Sequence, residues 1–506
     1  MAASRLWASI TGQSATNSQT DMSSTRLELL ESKYGTRFKW FAVLAVIFGL
    51  LASIFSSTMI NVALTNIMAD YNVTQASAQW MSTGFLCANA VCMLASAWLL
   101  QNIGARKTFL FASTLFFTGC MIGQFAPEFN LLIFARILQG SGAGIIQPLS
   151  MALVFMLFPE NRRGSAIGVF SMIVVLGPAV GPTIGGVITD VFDWHYTFTA
   201  ALPLSFMAAV AGWIFLPDRD DAQQSSRFNL ISFCLIALTV GNLLTGLSNS
   251  QFYPATDPKV TIYLAISLIS FILFFGRERK SKAPLLRLEM FRNLKFTSTV
   301  IVGAITSAGM FSTIYMLPLF ARTVQLSDAT EAGLLLLPGG LALALVSPLA
   351  GRLVDRLPAH RLLYAGIILF VISIYALTFA DEASHFWMIA GWIILGRAAL
   401  GLILPANSTL SLSCVLPPQV PQASGALNFC RMLGGTIGVN VIALLITARS
   451  AHYGAEIMTA NGGAALTVDQ TVEMMTLTFH DCFLVSGLVF ALALIPVTYL
   501  ARHAKT

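Results

Sequence analysis

Long apolar runs separated by short polar loops constrain this chain more than any other feature of its sequence. The first runs from Trp40 to Met68, and the pattern repeats as far as Leu500. A helix that crosses a bilayer needs roughly 20 mostly apolar residues, which most of these runs supply. A transmembrane β-barrel would instead show segments of ~10 residues with alternating polarity. The sequence therefore predicts an all-α polytopic membrane protein embedded in a lipid bilayer.

The apolar runs number fourteen, and each is expected to form one transmembrane helix. They cover Trp40 to Met68, Ala78 to Leu100, Thr108 to Phe125, Asn130 to Phe155, Ser165 to Thr189, Tyr196 to Leu216, Asn229 to Leu247, Val260 to Phe275, Phe296 to Phe320, Ala332 to Ala350, Leu362 to Ala380, Phe386 to Leu404, Ser424 to Thr447 and Phe483 to Leu500. Only 10% of the residues are charged, against about a quarter in soluble proteins. A soluble globular fold is thereby excluded.

The distribution of Lys and Arg predicts the orientation in the membrane. With a cytoplasmic amino terminus, the outer loops hold Lys259, Arg322 and Arg449, and the tail and inner loops hold nearly all the other basic residues. Basic residues collect on the cytoplasmic side, so both termini are expected there, in the cytoplasmic (inner) membrane. This rule also accounts for the net charge of +6 without a nucleic-acid partner. No cleavable signal peptide precedes Trp40, so the first span is expected to remain as a signal anchor.

An internal repeat divides the chain. The loop from Gly351 to Arg356 follows the tenth run as Ala97 to Gly104 follows the second, and Arg136 with Gly140 matches Arg397 with Gly401 in spacing. We therefore expect a cytoplasmic tail at 1–39, an N-terminal six-helix bundle at 40–216, an inserted helix pair with a basic cytoplasmic loop at 217–295, and a C-terminal six-helix bundle at 296–506. Two related bundles with a site between them are typical of alternating-access transporters.

The fifth run carries glycines and prolines at regular spacing. They are Gly168, Gly177, Pro178, Gly181, Pro182, Gly185 and Gly186. Glycines spaced by four residues let a neighbouring helix approach closely, and prolines bend the helix. With the length and the span count, this motif resembles the antiporter signature of the major facilitator superfamily, in its fourteen-span drug:proton antiporter branch (EmrB/QacA-like). The resemblance implies the major facilitator fold: two six-helix halves plus the inserted pair.

Two further motifs resemble that family. The fourth run carries Arg136, Gln139 and Gly140, which match the fourth-helix motif. Arg106 in the first inner loop, and Gly351, Asp355 and Arg356 in the repeated one, match the gating-loop motif. The resemblance implies that Asp355 caps a neighbouring helix and pairs with arginine to latch one conformation; the alternative is a solvated basic loop.

The sequence departs from the family at two positions. The branch usually places an aspartate where Ser56 lies, and the first gating loop has Gln101 in place of its usual aspartate. The acidic residues all fall in the tail, in loops or at helix ends, whereas Arg136, Arg397 and Arg431 lie deep in apolar runs. A charge at membrane depth costs at least ~2.5 kcal/mol, so it needs a cavity or a partner.

The resemblance places the first and fourth helices of each half around a central cavity. The candidate wall residues are Ser56, Thr58, Asn61, Arg136, Phe311, Tyr315 and Arg397. Arginines without a carboxylate favour an anionic or zwitterionic solute. The competing interpretation is that each arginine satisfies helix carbonyls and never meets the substrate.

The expected function is secondary active export of small amphipathic molecules by alternating access, multidrug-type and driven by protons as in the family. Because no carboxylate lies deep in the interior, the first proton-coupling candidates are Asp190 and Asp481. The alternative is an exporter of an anionic metabolite, such as a carboxylate siderophore, with weak or no proton coupling.

No HExxH, P-loop or GxSxG motif supports an enzyme, so none is expected. The seven scattered cysteines predict neither a metal nor a disulfide, and no cofactor is expected. The expected partners are a small-molecule substrate, protons and lipid. Some members of the branch work with a periplasmic adaptor protein, and the outer loop 449–480 is long enough to contact one.

Overall fold

The computed structural model describes residues 30, 32–218, 227–251, 253–254, 256–281, 283–462 and 464–503. These residues form helices and no strand. The principal helices are α1 (Phe38–Asp70), α2 (Trp80–Ile103), α3 (Ala105–Gln124), α4 (Phe129–Leu157), α5 (Arg163–Val191), α6 (Tyr196–Phe215), α7 (Leu230–Asn249), α8 (Pro258–Glu278), α9 (Leu294–Thr323), α10 (Leu337–Val354), α11 (Ala359–Leu377), α12 (Phe386–Ser413), α13 (Val420–Ala460) and α14 (Val468–Arg502). Every predicted run overlaps one of them, so the all-α prediction is confirmed.

Twelve helices among the described residues are long and apolar enough to cross a membrane. They do not include α3 and α5, which also coincide with predicted runs. Helix α3 opens with two charged residues, Arg106 and Lys107. The structure thus confirms a polytopic helical protein, and the count of fourteen spans stays a prediction.

Local signals in the sequence mark where helices begin and end. Gly104 has φ of +83°, a backbone conformation that favours glycine, and it separates α2 from α3. Asn293 caps α9, because its side chain accepts from the backbone N–H groups of Lys295 and Phe296. Thr467 and Gln470 form a capping box at the start of α14.

Helices α1–α6 pack mainly on one another, and so do α9–α14; we call these groups the N-terminal and C-terminal halves. Helices α7 and α8 pair with each other, and α7 lies against α2. We call the end where α2, α4 and α10 finish the basic end, because Arg106, Arg162 and Arg352 lie in or beside its turns. One apolar cluster joins the two halves there, including Phe155 and Leu157 of α4 with Leu412 of α12.

Candidate gate and substrate cavity

Asp355, just after α10, caps a helix of the other half. Its Oδ1 accepts a hydrogen bond of 2.7 Å from the backbone N–H of Gly164, the second residue of α5. Its Oδ2 accepts from the backbone N–H of Ser165 at 2.9 Å and from the Ser165 hydroxyl at 2.5 Å. A carboxylate at a helix N-terminus satisfies orphan N–H groups and opposes the positive end of the helix dipole. The contact therefore holds the halves together at the basic end.

The equivalent contact in the other half is neutral. Gln101 lies 254 residues before Asp355, at the end of α2. Its Nε2 donates to the Pro418 carbonyl at 3.2 Å, and its Oε1 accepts from Gln422 Nε2 at 3.4 Å, at the start of α13. Gln422 in turn lies 257 residues after Ser165, so the same two helix ends meet in both seams. One seam is held by a charged cap and the other by longer amide contacts.

Glycines bring the halves into backbone contact in both seams. A Cβ built on Gly168 of α5 would lie 2.7 Å from the Ser347 carbonyl oxygen of α10. A Cβ on Gly425 of α13 would lie 2.7 Å from the Met93 carbonyl oxygen of α2. Gly351 lies directly against Gly164. Any larger side chain at these positions would push the halves apart.

The two arginines of the gating motif lie elsewhere. Arg106 Nη1 bonds Asp218 at 2.8 Å, and its guanidinium lies 3.8 Å from the Trp213 ring centroid, so both contacts stay within the N-terminal half. Arg356 is exposed. Among the described residues, no arginine lies within ion-pair distance of Asp355. The cap is thus present without the arginine pairing that the resemblance implies.

Gly168 of the antiporter motif faces α10, and the later glycines of the motif pack inside the N-terminal half. Gly177 and Gly181 lie directly against Ile54 and Thr58 of α1, and a Cβ on Gly185 would lie 2.8 Å from the Met59 Cα. A Cβ on Gly186 would lie in ordinary van der Waals contact with Val62, at 3.8 Å. The side chains of Pro178 and Pro182 lie outside the described residues. Through these contacts the backbone of α5 packs against side chains of α1.

In the fourth-helix motif, Gly140 lies directly against the Phe85 carbonyl of α2. Arg136 is 1% exposed and is enclosed by its own half. Its Nε donates to the Met81 carbonyl, and its Nη1 donates to the Ser56 carbonyl and hydroxyl, each at 3.2 Å. It also donates to Gln139 Oε1 at 2.7 Å, and its guanidinium lies 4.3 Å from the Phe85 ring centroid. Arg136 therefore ties α1, α2 and α4 together.

Arg397, related to Arg136 by the repeat, has different surroundings. It is 7% exposed and donates no hydrogen bond to a described residue. Its Cγ would lie 2.8 Å from a Cβ on Gly339, which occupies the position of Phe85 in the repeat. The contacts of α9 with α13 repeat those of α1 with α5, and this alignment places Thr306 at the position of Ser56. The Thr306 hydroxyl is buried and has no described partner. Both halves therefore have the arginine, but only Arg136 has its set of hydrogen-bond acceptors.

The remaining wall candidates divide between the halves. Ser56 is buried on Arg136, and the Thr58 hydroxyl donates to the Ile54 and Phe55 carbonyls of its own helix. Phe311 and Tyr315 of α9 are 38% and 39% exposed. The side chain of Asn61 lies outside the described residues.

A cavity on the other side of the N-terminal half lies apart from these candidates. Its volume is about 760 Å³, and it opens between the N-terminal half and the inserted pair. Its lining includes Trp80, Glu128, Phe129, Thr245 and Tyr263. None of the predicted wall residues lines it, so the structure adds this site to the predicted one without joining them.

Comparison with known proteins decides the family. The family model described as Major Facilitator Superfamily matches residues 46–439, which is more than half of the chain. The chain belongs to the major facilitator superfamily. Its all-helical architecture of two halves is the fold of that superfamily, and the chain is a multi-pass membrane transporter of a family that is generally non-enzymatic.

Curated relatives in the superfamily match along most of their length. The MFS-type transporter YcnB of Bacillus subtilis, named uncharacterized, is 30% identical over 409 residues, covering 80% of this chain and 86% of YcnB. The lincomycin resistance protein LmrB of Listeria monocytogenes is 28% identical over 452 residues, covering 89% of this chain and 94% of LmrB.

A solved superfamily structure agrees with the fold. The human organic anion transporter MFSD10 aligns with a TM-score of 0.63 at 14% identity, covering 91% of this chain and 99% of that chain. At this identity the likeness concerns the fold alone.

The acidic residues considered for coupling lie far from the basic end. Asp190 is exposed in the last turn of α5. Asp481 of α14 accepts from the Tyr453 hydroxyl at 2.8 Å and pairs with Arg449 Nε at 3.3 Å, both on α13. Asp193, in the loop after α5, accepts from the His195 backbone N–H at 2.9 Å, and this bond lowers the pKa of its carboxyl. Asp193 therefore stays ionised and suits proton transfer poorly.

Sequence reasoning missed two groups of the Arg136 network, one on α2 that bonds Arg136 itself and one on α3 that bonds its partner Gln139. Met81 contributes a backbone carbonyl, and Cys120 accepts from Gln139 Nε2 at 3.0 Å. Neither group has a sequence signature, since every residue has a carbonyl and a lone cysteine reads as an apolar residue.

Proposed function

We propose that this chain exports small amphipathic molecules, in the manner of multidrug efflux, by proton-coupled alternating access. It would do so in the cytoplasmic membrane, with fourteen spans, both termini in the cytoplasm and the bundle boundaries predicted from the repeat. Membership of the superfamily and a relative named for lincomycin resistance support the proposal. In this scheme the chain acts as a member of the drug:proton antiporter branch and not as an enzyme.

The observation that carries the proposal is the pair of related seams at the basic end. Each seam joins one half to the other through a glycine contact and a polar contact, at Asp355 with Ser165 and at Gln101 with Gln422. Both are small contacts between packed helices, so rigid rocking can break and remake them. If the basic end is cytoplasmic, the structure has its inner gate closed.

The N-terminal half is suited to move as one body. Arg136 makes its hydrogen bonds within that half, and Gly177, Gly181 and Gly185 of α5 pack on α1. These contacts need no change when the halves rock. They also remove one of the two arginines on which the anionic-metabolite alternative rests, so amphipathic export is the better-supported function.

Proton coupling requires a group that can gain and lose a proton, and Asp481 and Asp190 are the candidates. Asp481 has the hydroxyl of Tyr453 and the guanidinium of Arg449 as partners, whereas Asp190 is exposed. A carboxylate that exchanges its ion pair for a proton can couple proton movement to transport. We therefore place Asp481 before Asp190 as the coupling residue.

The test uses the purified full chain in liposomes. Dyes of matched size in cationic, neutral and anionic forms are loaded, and their movement is followed with an imposed pH gradient, without one, and with a protonophore. Export that is stronger with the gradient and lost with the protonophore supports the proposal, and Asp481→Asn should then reduce only the gradient-driven part. Movement of every dye at the rate of empty liposomes would refute it.

A further inference from the structure

The cavity between the N-terminal half and the inserted pair lies at the end of the molecule opposite the basic end. Helices α2, α4 and α8 begin beside it, and α7 ends beside it. Its volume of about 760 Å³ falls within the range of about 300–1,000 Å³ that is usual for small-molecule sites. A molecule bound there would touch neither the seams nor the predicted wall residues.

The cavity has a negative charge and no described counter-charge. Among the described residues of its lining, Glu128 alone is charged. Glu128 occupies the N-cap of α4, but its side chain accepts no N–H group of that helix. No described residue forms a hydrogen bond or an ion pair with its carboxylate. Lys259, near the start of α8, contacts Tyr253 instead, with its Nζ 3.2 Å from the Tyr253 hydroxyl.

Aromatic rings line the same cavity from two sides. Trp80 of α2 is 45% exposed, and Tyr263 of α8 is 36% exposed. Aromatic faces attract ammonium groups, and a nearby carboxylate adds a charge-assisted hydrogen bond. Trp and Tyr are also enriched at membrane interfaces, where lipid headgroups lie. This combination of side chains favours an ammonium group over an anion.

Apolar side chains lie one helical turn deeper on two walls of the cavity. Ile137 of α4 follows Ile133 of the lining by four residues, and Ile266 of α8 follows Tyr263 by three. Each of these two isoleucines is 39% exposed. They offer apolar surface to acyl chains that extend from the cavity toward the bilayer centre. A small hydrophilic cation would make no use of this surface.

We propose that this cavity binds the headgroup of an aminophospholipid. The ammonium group bonds the Glu128 carboxylate and lies against the rings of Trp80 and Tyr263. Asn130, also in the lining, offers amide N–H donors to the lipid phosphate. The lipid would thereby join the inserted pair to the N-terminal half. This inference goes beyond the proposed export function and does not depend on it.

The test measures lipid binding to the purified full chain in detergent by native mass spectrometry. Phosphatidylethanolamine is titrated beside phosphatidylglycerol with the same acyl chains, because only the first lipid carries an ammonium group. We expect the wild type to bind the ammonium lipid about tenfold more tightly at one site, which is the size of a bond to a charged group. Glu128→Gln should remove this preference. Tyr263→Leu removes a ring and should weaken the ammonium lipid about two- to fivefold.

Asp257→Asn is the matched control for lost charge. Asp257 lies at the same end of the molecule, where its side chain caps α8 by accepting from the Lys259 backbone N–H, and asparagine is an equally good cap. It lies outside the described lining of the cavity, so this variant should keep the lipid preference. Thermal unfolding of each variant shows that it is folded.

The possible outcomes are distinct. Equal affinities for the two lipids in the wild type, or the same preference in folded Glu128→Gln, would overturn the site. Tetraphenylphosphonium, a lipophilic cation without acyl chains, tests for a free ligand. Tighter binding of this cation than of phosphatidylethanolamine, lost in Glu128→Gln, would overturn the lipid assignment and give the cavity to free organic cations.

Discussion

The charged seam makes a quantitative prediction at one residue. Asp355→Asn keeps one carbonyl oxygen and replaces the other with an NH₂ group that faces an N–H donor. The substitution removes at least one of the three hydrogen bonds from Gly164 and Ser165, worth about 1 kcal/mol, and the charge at the N-terminus of α5, worth roughly 0.3–1 kcal/mol. We therefore expect about 2 kcal/mol less stabilisation of the closed basic end, a shift of about 30-fold in the ratio of closed to open molecules.

Pulsed electron spin resonance measures this shift. Spin labels are placed at Glu160, after α4, and at Leu416, after α12, because both are exposed and lie in different halves at the basic end. The background lacks the seven native cysteines. The wild-type distribution should be dominated by the short distance, and Asp355→Asn should transfer population to a longer one.

A matched control distinguishes the seam from a general effect of lost charge. Asp218→Asn removes an aspartate that pairs with Arg106 inside the N-terminal half. It should leave the distances unchanged. Identical distributions for Asp355→Asn and the wild type, or the same shift in Asp218→Asn, would refute the reasoning that the cap joins the halves.

Three other substitutions test the seams and the arginine network. Gln101→Asp supplies the missing charge at the N-terminus of α13, and the same spin-label pair should show about fivefold more closed molecules; no change would contradict a capping role. Arg136→Gln leaves the carbonyls of Met81 and Ser56 without their donor, so we expect a loss of about 3 kcal/mol, seen as a lower thermal midpoint of the purified protein, and an unaltered midpoint would count against the network. Gly425→Val places a branched side chain on the Met93 carbonyl and should raise the labelling rate of a cysteine introduced at Leu416, whereas wild-type protection would show that the seam tolerates it.

The helices could be predicted from the sequence because apolar runs of membrane length have no other stable form in a bilayer. The repeat was also visible, since Gln101 and Asp355 follow helices of similar pattern. The position of Asp355 could be inferred from the motif, but not its three donors, because two of them are backbone N–H groups that any residue supplies.

The interior polar contacts were less accessible to sequence reasoning. Arg136 and Arg397 have the same motif spacing, yet only Arg136 has a full set of partners. The difference lies in how each helix is rotated and in what faces it, which spacing along one helix does not specify. Asn407 and Arg431 both lie close to Gly303, and these residues belong to three different helices, so no local sequence pattern predicts their proximity.

Because the two seams differ in strength, they are expected to open in a fixed order. Both seams close the basic end. The seam at Gln101 is held by neutral amide hydrogen bonds of 3.2 and 3.4 Å, and the seam at Asp355 is held by shorter hydrogen bonds to a charged carboxylate. The seam at Gln101 should open first, and the halves should then rotate about the seam at Asp355. Each cycle would then follow a defined order instead of a symmetric spreading.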